Sequence, residues 1–164
     1  MPEETIIVSA GSYGKEVYSW VQDCVQAGVL GPVKGFLDDR PDALAGFECT
    51  ARILGPVESY QPAETERFIC AIGDSAARRQ YVLKLKAKGA RFTSLIHPTA
   101  VVGHGVSLGE GVVLAPFSSL TAALDIGNFV NIGLYSACSH HNQIGDWCQI
   151  SGHCSLPGRV VLEE

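Results

Sequence analysis

Hydrophobic positions in the C-terminal part of the chain recur every sixth residue. The residues of this register are Ile96, Val102, Leu108, Leu114, Leu120, Ile126, Ile132, Cys138, Ile144, Ile150, Leu156 and Leu162. A period of six fits neither an α-helix nor a flat strand, but it is typical of a solenoid in which each hexad is a short strand plus a corner. Three hexads close one triangular coil, so the pattern predicts about four coils of a left-handed parallel β-helix with these side chains inside.

A second, mostly small residue stands four positions after each of these, and we expect it to face the interior as well. Glycines follow the aliphatic position at Gly103, Gly109, Gly127, Gly133 and Gly145. We expect them at corners that need unusual backbone angles. The register runs into Glu163 and Glu164 without a polar cap. Since solenoids normally end in such a cap, we expect the chain to be truncated or to belong to a longer product.

Residues 1–94 follow a different pattern, in which strands alternate with helices. The predicted strands are Thr5–Ala10, Val33–Leu37 and Arg67–Ile72, and the predicted helices are Lys15–Ala27 and Ser75–Lys88. This alternation predicts a parallel, Rossmann-like α/β sheet whose ligands bind at the carboxyl ends of its strands. We therefore divide the chain into a Rossmann-like nucleotide-sugar-binding domain over 1–94 and a β-helix domain over 95–164.

The charge pattern excludes several classes of partner. Net charge is −5, and the 12 Lys and Arg residues form no run longer than two, so neither a nucleic acid nor a membrane is an expected partner. The acidic N-terminus lacks the features of a secretory signal, and no apolar run approaches a membrane span. The six cysteines form no CxxC pair, as in a chain with reduced thiols. These features predict a cytoplasmic protein.

Two segments carry candidate chemistry in the N-terminal half. Ser9 to Gly14 reads as GxGxxG with serine for its first glycine, placed between a strand and a helix. Backbone N–H groups there can cradle a phosphate. Asp38 and Asp39 end the second strand, where a carboxylate can accept hydrogen bonds from a ribose or a base. The alternative is a glycine turn that only lets the helix pack on the strand.

His140 and His141 are the candidate catalytic residues of the C-terminal half. The register puts both on the outer surface, where an imidazole can take a proton from an attacking amine or hydroxyl. The alternative is a pair of solvated corner histidines. His104 lies two coils before His140 on the same face, a geometry that can hold a metal between trimer neighbours, as in the gamma-class carbonic anhydrases, which share this solenoid. Gly145 stands where a third histidine ligand would be needed, so no metal is expected.

Six segments together resemble a known family. SAGSYGKEV, GFLDD, ILGPVE, AIGDSAARR, LIHPTAVVG and SHHNQIGDWCQIS are similar to the NeuD/PglD-like sugar O- and N-acyltransferases of the sialic-acid and bacillosamine pathways. The resemblance covers the whole chain. It implies a homotrimer that transfers an acetyl group from acetyl-CoA to a sugar hydroxyl or to the amine of a UDP-linked amino sugar.

The resemblance also implies roles for particular residues. The acceptor would be held by Gly11, Ser12, Tyr13, Gly14, Asp38, Asp39, Gly73 and Asp74. His140 matches the catalytic base of the family, with His141 beside it. The backbone N–H of Gly158 falls where the family stabilises the oxyanion, and Gln149 with Gly158 would contact acetyl-CoA, whose pantetheine arm would lie between two solenoids of the trimer.

Four residues depart from the family pattern. His141 replaces an acidic residue, Gln149 and Tyr13 each replace a histidine, and Ser9 replaces a glycine. The leading hypothesis is an acetyl-CoA-dependent sugar acetyltransferase of cell-surface glycan precursor synthesis, working by direct transfer in a ternary complex. The alternative hypothesis is a weakly active or inactive nucleotide-sugar-binding scaffold.

Overall fold

The computed structural model describes residues 3–164, so Met1 and Pro2 of the acidic N-terminus lie outside the described residues. The chain forms two compact units, the first ending at Thr93 and the second running from Ser94 to Glu164.

The first unit is a four-stranded parallel sheet with two helices. Its elements are β1 (Glu4–Val8), α1 (Ser12–Gln26), β2 (Val33–Leu37), β3 (Ile53–Gly55), β4 (Glu66–Cys70) and α2 (Ser75–Ala87). The strand order is β3-β2-β1-β4, and every neighbouring pair is parallel. The predicted α/β sheet is confirmed, with β3 as a strand too short for the sequence pattern to predict.

The central strand β1 is buried because it is apolar along its length. Ile6, Ile7 and Val8 are each at most 1% exposed. Helix α1 buries Val17 and Val21, whose spacing of four places them on one face of the helix. Strand β1 is therefore a core strand of the parallel sheet, and the packing around it fixes the position of its carboxyl end.

Helix α1 begins three residues earlier than the glycine pattern predicts. Gly11 is its N-cap, so Ser12, Tyr13 and Gly14 form its first turn. The left-handed backbone conformation lies at Ser9, with φ of 83°. A Cβ atom on Gly14 would lie 2.1 Å from the carbonyl oxygen of Ser9. Glycine is therefore required at position 14 because the helix approaches the end of the strand closely.

The second unit is a parallel β-helix of twelve two-residue strands. The first face contains β5 (Leu95–Ile96), β8 (Val113–Leu114), β11 (Asn131–Ile132) and β14 (Gln149–Ile150). The second face contains β6 (Val101–Val102), β9 (Ser119–Leu120), β12 (Ala137–Cys138) and β15 (Ser155–Leu156). The third face contains β7 (Ser107–Leu108), β10 (Asp125–Ile126), β13 (Gln143–Ile144) and β16 (Val161–Leu162). Paired residues are 18 apart, which confirms the predicted left-handed parallel β-helix of four coils.

The interior of the β-helix is the predicted hydrophobic register. Eleven of its twelve residues belong to one buried cluster or pack against it. The exception is Val102 in the first coil, which is 41% exposed. The second set of inward positions includes three buried polar side chains, Ser118, Ser136 and Asn142. The period of six therefore identifies the core correctly.

The corner glycines have a different role from the predicted one. Left-handed angles occur instead at Gly105 and Gly111 and at larger corner residues such as His141. At Gly103 a Cβ atom would lie 1.6 Å from the carbonyl oxygen of Thr121 in the next coil. These positions are glycine because successive coils approach closely there, and the expectation of unusual backbone angles was wrong.

Candidate functional site

A cavity of about 380 Å³ opens at the carboxyl ends of β1, β2 and β4. It is lined by Val8, Ser9, Leu37, Asp38, Asp39, Arg40, Val57, Ile72 and Tyr81. Of the predicted acceptor-binding residues, Asp38 and Asp39 line this cavity, whereas Gly11 to Gly14, Gly73 and Asp74 are not among its lining residues. Sequence reasoning missed Arg40 and Tyr81, although Arg40 follows the acidic pair directly.

The carboxylate of Asp38 is already used within the fold. It accepts hydrogen bonds from the backbone N–H of Ala10 at 2.8 Å and of Arg40 at 3.0 Å, and the Arg40 guanidinium binds both carboxylate oxygens. Burial raises the pKa of Asp38, but the hydrogen bonds from Arg40 and Ala10 outweigh it and lower that pKa below its ordinary value. Asp39, which is exposed, is thus the carboxylate better placed to meet a ligand.

Three other predicted residues of this unit have structural contacts. The carboxylate of Asp74 caps α2 by accepting a hydrogen bond from the Ala77 N–H at 2.8 Å. The Gly73 carbonyl accepts a hydrogen bond from the buried Arg78 guanidinium at 3.1 Å. Tyr13 packs edge-on against Trp20, and burial raises the pKa of its phenol. All three residues therefore have structural roles within the first unit.

His140 and His141 project from one corner of the β-helix. This corner, between β12 and β13, is called the histidine corner below. Both side chains are exposed, and their Nδ1 atoms are 3.1 Å apart, within hydrogen-bond distance. Such a bond requires a proton on one of the two Nδ1 atoms. It therefore fixes the orientation of the His140 ring.

Gly158 lies one coil below His140 at the same corner. A Cβ atom at this position would lie 2.5 Å from Cε1 and 2.7 Å from Nε2 of His140. The ring therefore occupies the space that any other residue at 158 would fill. The Arg159 N–H donates to the His140 carbonyl at 3.0 Å, which ties the two coils together. Among the described residues, the Gly158 N–H has no hydrogen-bond acceptor.

Gln149 lies on a different side of the β-helix. It belongs to β14 on the first face, opposite the histidine corner, and its Oε1 accepts a hydrogen bond from Asn131 Nδ2 at 2.9 Å. A single chain thus brings together His140, His141 and Gly158 but not Gln149.

The described residues bear on the metal alternative only within one chain. His104 stands at the histidine corner two coils before His140, yet residues 3–164 contain no group of three side chains that could hold a metal ion. In that same range, no helix is both long enough and apolar enough to cross a membrane.

An exposed histidine pair on a β-helix that follows a Rossmann-like unit is the arrangement predicted above for sugar acyltransferases. Residues 4–85 match the family described as the PglD N-terminal domain. A similar curated protein is GDP-perosamine N-acetyltransferase of Escherichia coli O157:H7, 27% identical over 96% of this chain and 72% of its own length.

Two solved structures have the same fold. PerB from Caulobacter crescentus, in complex with CoA and GDP-perosamine, is 23% identical with a TM-score of 0.74, covering 89% of this chain and 67% of that one. The acetyltransferase domain of PglB from Neisseria gonorrhoeae, in complex with acetyl coenzyme A, is 22% identical with a TM-score of 0.58. The match covers 100% of this chain and 97% of that one. The chain belongs to the NeuD/PglD-like family of sugar acyltransferases.

Proposed function

We propose that this protein transfers the acetyl group of acetyl-CoA to the amino group of a nucleotide-linked sugar. The observation that carries the proposal is the contact between the His140 ring and Gly158 at an exposed corner of the β-helix. Membership of the family supports acetyl-CoA as the acetyl donor. The similar GDP-perosamine N-acetyltransferase supports an amine as the acceptor group.

His140 acts as the general base in this proposal. When its Nδ1–H donates to Nδ1 of His141, its Nε2 keeps a lone pair that can accept a proton. The acceptor nitrogen attacks the thioester carbon, the C–S bond breaks, and the amine proton passes through His140 to the departing thiolate. His141 holds the ring in this tautomer, the task that an acidic residue commonly has in the family.

The Gly158 N–H stabilises the oxygen of the tetrahedral intermediate. It lies one coil from His140, and its lack of an acceptor within the described chain leaves it available to the substrate. A donor of this kind contributes about 3 kcal/mol to transition-state stabilisation. The acetyl group then passes directly from CoA to the amine in a ternary complex.

The acceptor nucleotide occupies the cavity of the first unit. Asp39 and Tyr81, which line the cavity, are the side chains proposed to meet the base and the ribose. The first turn of α1 at Gly11 to Gly14 and the segment at Gly73 and Asp74 are proposed to complete the acceptor site. The comparisons favour GDP-linked acceptors as the first to be assayed, with UDP-linked sugars as the second class. The reaction would supply a precursor of cell-surface glycans in the cytoplasm.

A threefold assembly would complete the site. In a trimer of β-helices, the corner of one copy can lie beside a face of the next, and Gln149 would then approach the acetyl-CoA bound at a neighbouring histidine corner. Light scattering should give three times the chain mass of 17.4 kDa. A monomer that is fully active would contradict this part of the proposal.

An acceptor panel tests the function. Thiol release from acetyl-CoA is followed with GDP-linked amino sugars, UDP-linked amino sugars and sialic acid, and each product is weighed by mass spectrometry. We expect turnover with a nucleotide-linked amino sugar, addition of one acetyl group, and intersecting double-reciprocal lines. Parallel lines would indicate an acetyl-enzyme intermediate, and thiol release with sialic acid alone would overturn the amine acceptor.

A further inference from the structure

The β-helix unit contains a single lysine or arginine, Arg159. Residues 94–164 include no other Lys or Arg, but they include five carboxylates: Glu110, Asp125, Asp146, Glu163 and Glu164. Nucleotide sugars and acetyl-CoA are anions, which an acidic surface repels. Arg159 is therefore the one fixed cation of this unit that can attract either substrate.

Arg159 stands at the histidine corner. It follows Gly158 directly, and its position is one full coil, 18 residues, after that of His141. Its backbone adopts the left-handed conformation with φ of 63°, which is costly for a residue with a long side chain. The side chains of His141 and Arg159 thus leave the β-helix from equivalent positions in adjacent coils.

The Arg159 guanidinium is not used within the fold. The side chain is exposed, and among the described residues the guanidinium forms no ion pair or hydrogen bond. Arg40 provides a contrast, since both oxygens of Asp38 hold its guanidinium. An arginine that keeps all five N–H donors free beside the reacting groups is well suited to bind a phosphate group bidentately.

We propose that Arg159 binds the diphosphate of the nucleotide-sugar acceptor, an inference that rests on the proposed function. In such an acceptor, one hexose ring separates the amine from the diphosphate. In acetyl-CoA, the whole pantetheine arm separates the thioester from its diphosphate. Adjacent coils are about 4.8 Å apart, and Arg159 stands one coil from His141 and next to Gly158, which the His140 ring contacts. A cation at this position matches the shorter of these two separations.

Calorimetric titration of the full chain tests the assignment without requiring turnover. The probes are GDP, UDP, guanosine and CoA, and the variants are Arg159→Gln and Arg159→Lys. Arg159→Gln should weaken GDP and UDP binding about tenfold or more, since it removes a charge-assisted contact. Guanosine and CoA should bind as they do to the wild type, and Arg159→Lys should retain part of the affinity because it keeps the charge without the planar fork.

Arg91→Gln is the matched control, since it removes the same charge from an exposed arginine of the first unit. It should leave all four affinities unchanged, and the melting temperature of each variant reports whether it is folded. GDP and UDP binding that is insensitive to Arg159→Gln would overturn the assignment. Weaker binding of CoA alone would assign Arg159 to the donor instead, and would overturn it equally.

The assay of thiol release separates this inference from the function itself. If His140-dependent turnover is present but GDP and UDP bind equally with and without Arg159, the inference fails and the function stands. If no nucleotide-linked amino sugar is acetylated, the function fails, while the titrations still decide whether Arg159 binds a diphosphate.

Discussion

At the scale of single residues, the contact between His140 and Gly158 predicts how a substitution at position 158 changes the rate of catalysis. Gly158→Ala places a methyl group where Cε1 and Nε2 of His140 now lie, so the exposed ring has to swing away. We expect kcat to fall at least tenfold, because the base is displaced from the reacting amine, while the urea midpoint changes little.

Gly152→Ala is the matched control for this substitution. It is an exposed glycine of the same coil, and a Cβ atom there would lie 3.2 Å from its nearest neighbour, the Leu134 carbonyl oxygen. It should leave kcat unchanged. Equal kcat values in wild type and Gly158→Ala would show that the ring position seen here has no role in transfer.

The backbone conformation of Ser9 predicts that a substitution there changes the stability of the fold. Its φ of 83° is a conformation that costs a non-glycine residue about 1–3 kcal/mol. Ser9→Gly removes this strain, adds about 0.5–1 kcal/mol of backbone entropy to the unfolded chain and loses a hydrogen bond to the Ser9 hydroxyl worth about 0.5–1.5 kcal/mol. We therefore expect its free energy of unfolding to be about 1 kcal/mol above that of Ser9→Ala, which loses the same bond and keeps the strain. Urea denaturation measures this change.

The Ser9→Ala variant separates the effect of backbone strain from the effect of losing the hydrogen bond to the Ser9 side chain. The Oγ atom of Ser9 accepts a hydrogen bond from the Gly11 N–H at 3.2 Å, which both substitutions remove. Alanine keeps the strained backbone, so this variant should be slightly less stable than the wild type. A Ser9→Gly variant that is no more stable than Ser9→Ala would refute the account of strain.

At the scale of secondary-structure elements, strand β4 is anchored by a buried carboxylate. Glu66 accepts hydrogen bonds from Lys34 at 2.6 Å, from the Tyr60 hydroxyl at 2.7 Å and from the Ala63 N–H at 2.8 Å. Burial raises the pKa of Glu66, but these bonds outweigh it and lower that pKa below its usual 4.5.

This anchor predicts sensitivity to acid. A carboxyl whose pKa is lowered by folding stabilises the protein above its unfolded pKa, and this contribution is lost as the pH falls through the folded pKa. Glu66→Gln should cost about 3 kcal/mol at pH 7, and the difference from wild type should shrink below about pH 4.5. Urea midpoints across this range measure it.

Glu64→Gln is the control for the acid effect, since Glu64 is an exposed carboxyl two residues earlier. Its midpoints should follow those of the wild type at every pH. A difference between wild type and Glu66→Gln that stays constant down to pH 3 would contradict the anchoring role.

The helices and strands differ in how well the sequence predicts them. The period of six located the β-helix interior, because the inward position of each hexad has one environment. Val33–Leu37 was predicted with its observed limits. Strand β3 was missed because three residues carry no periodicity, and the start of α1 was missed because Gly11 caps the helix rather than forming part of a longer turn.

The candidate site was only partly readable from the sequence. The family resemblance named His140, His141 and Gly158 as catalytic residues, and the fold places Gly158 one coil of 18 residues after His140, in contact with its ring; their catalytic roles stay a prediction. The contacts of Asp38 with Ala10 and Arg40 were not predictable, because they depend on how two loops meet at the strand ends. Arg159 was overlooked, although a count of charges in residues 94–164 would have found it.

At the scale of the whole molecule, the two units have different functions in the proposed reaction. The first offers a cavity at the strand ends for a nucleotide, and the second offers a histidine corner for acetyl transfer. The β-helix is stacked from nearly identical coils, so its chemistry depends on which side chains stand at one corner. His104 and His140 stand at equivalent positions of that corner, two coils apart.

The rate of acetyl transfer in wild type, His140→Ala and His104→Ala tests the central claim most directly. His104→Ala is the matched control, since it removes an exposed histidine from the same corner. With a nucleotide-linked amino sugar and acetyl-CoA, His140→Ala should lower kcat by about 10²–10⁴, and His104→Ala should leave it unchanged. Equal rates in the wild type and His140→Ala would contradict the claim that the histidine corner is the site of acetyl transfer.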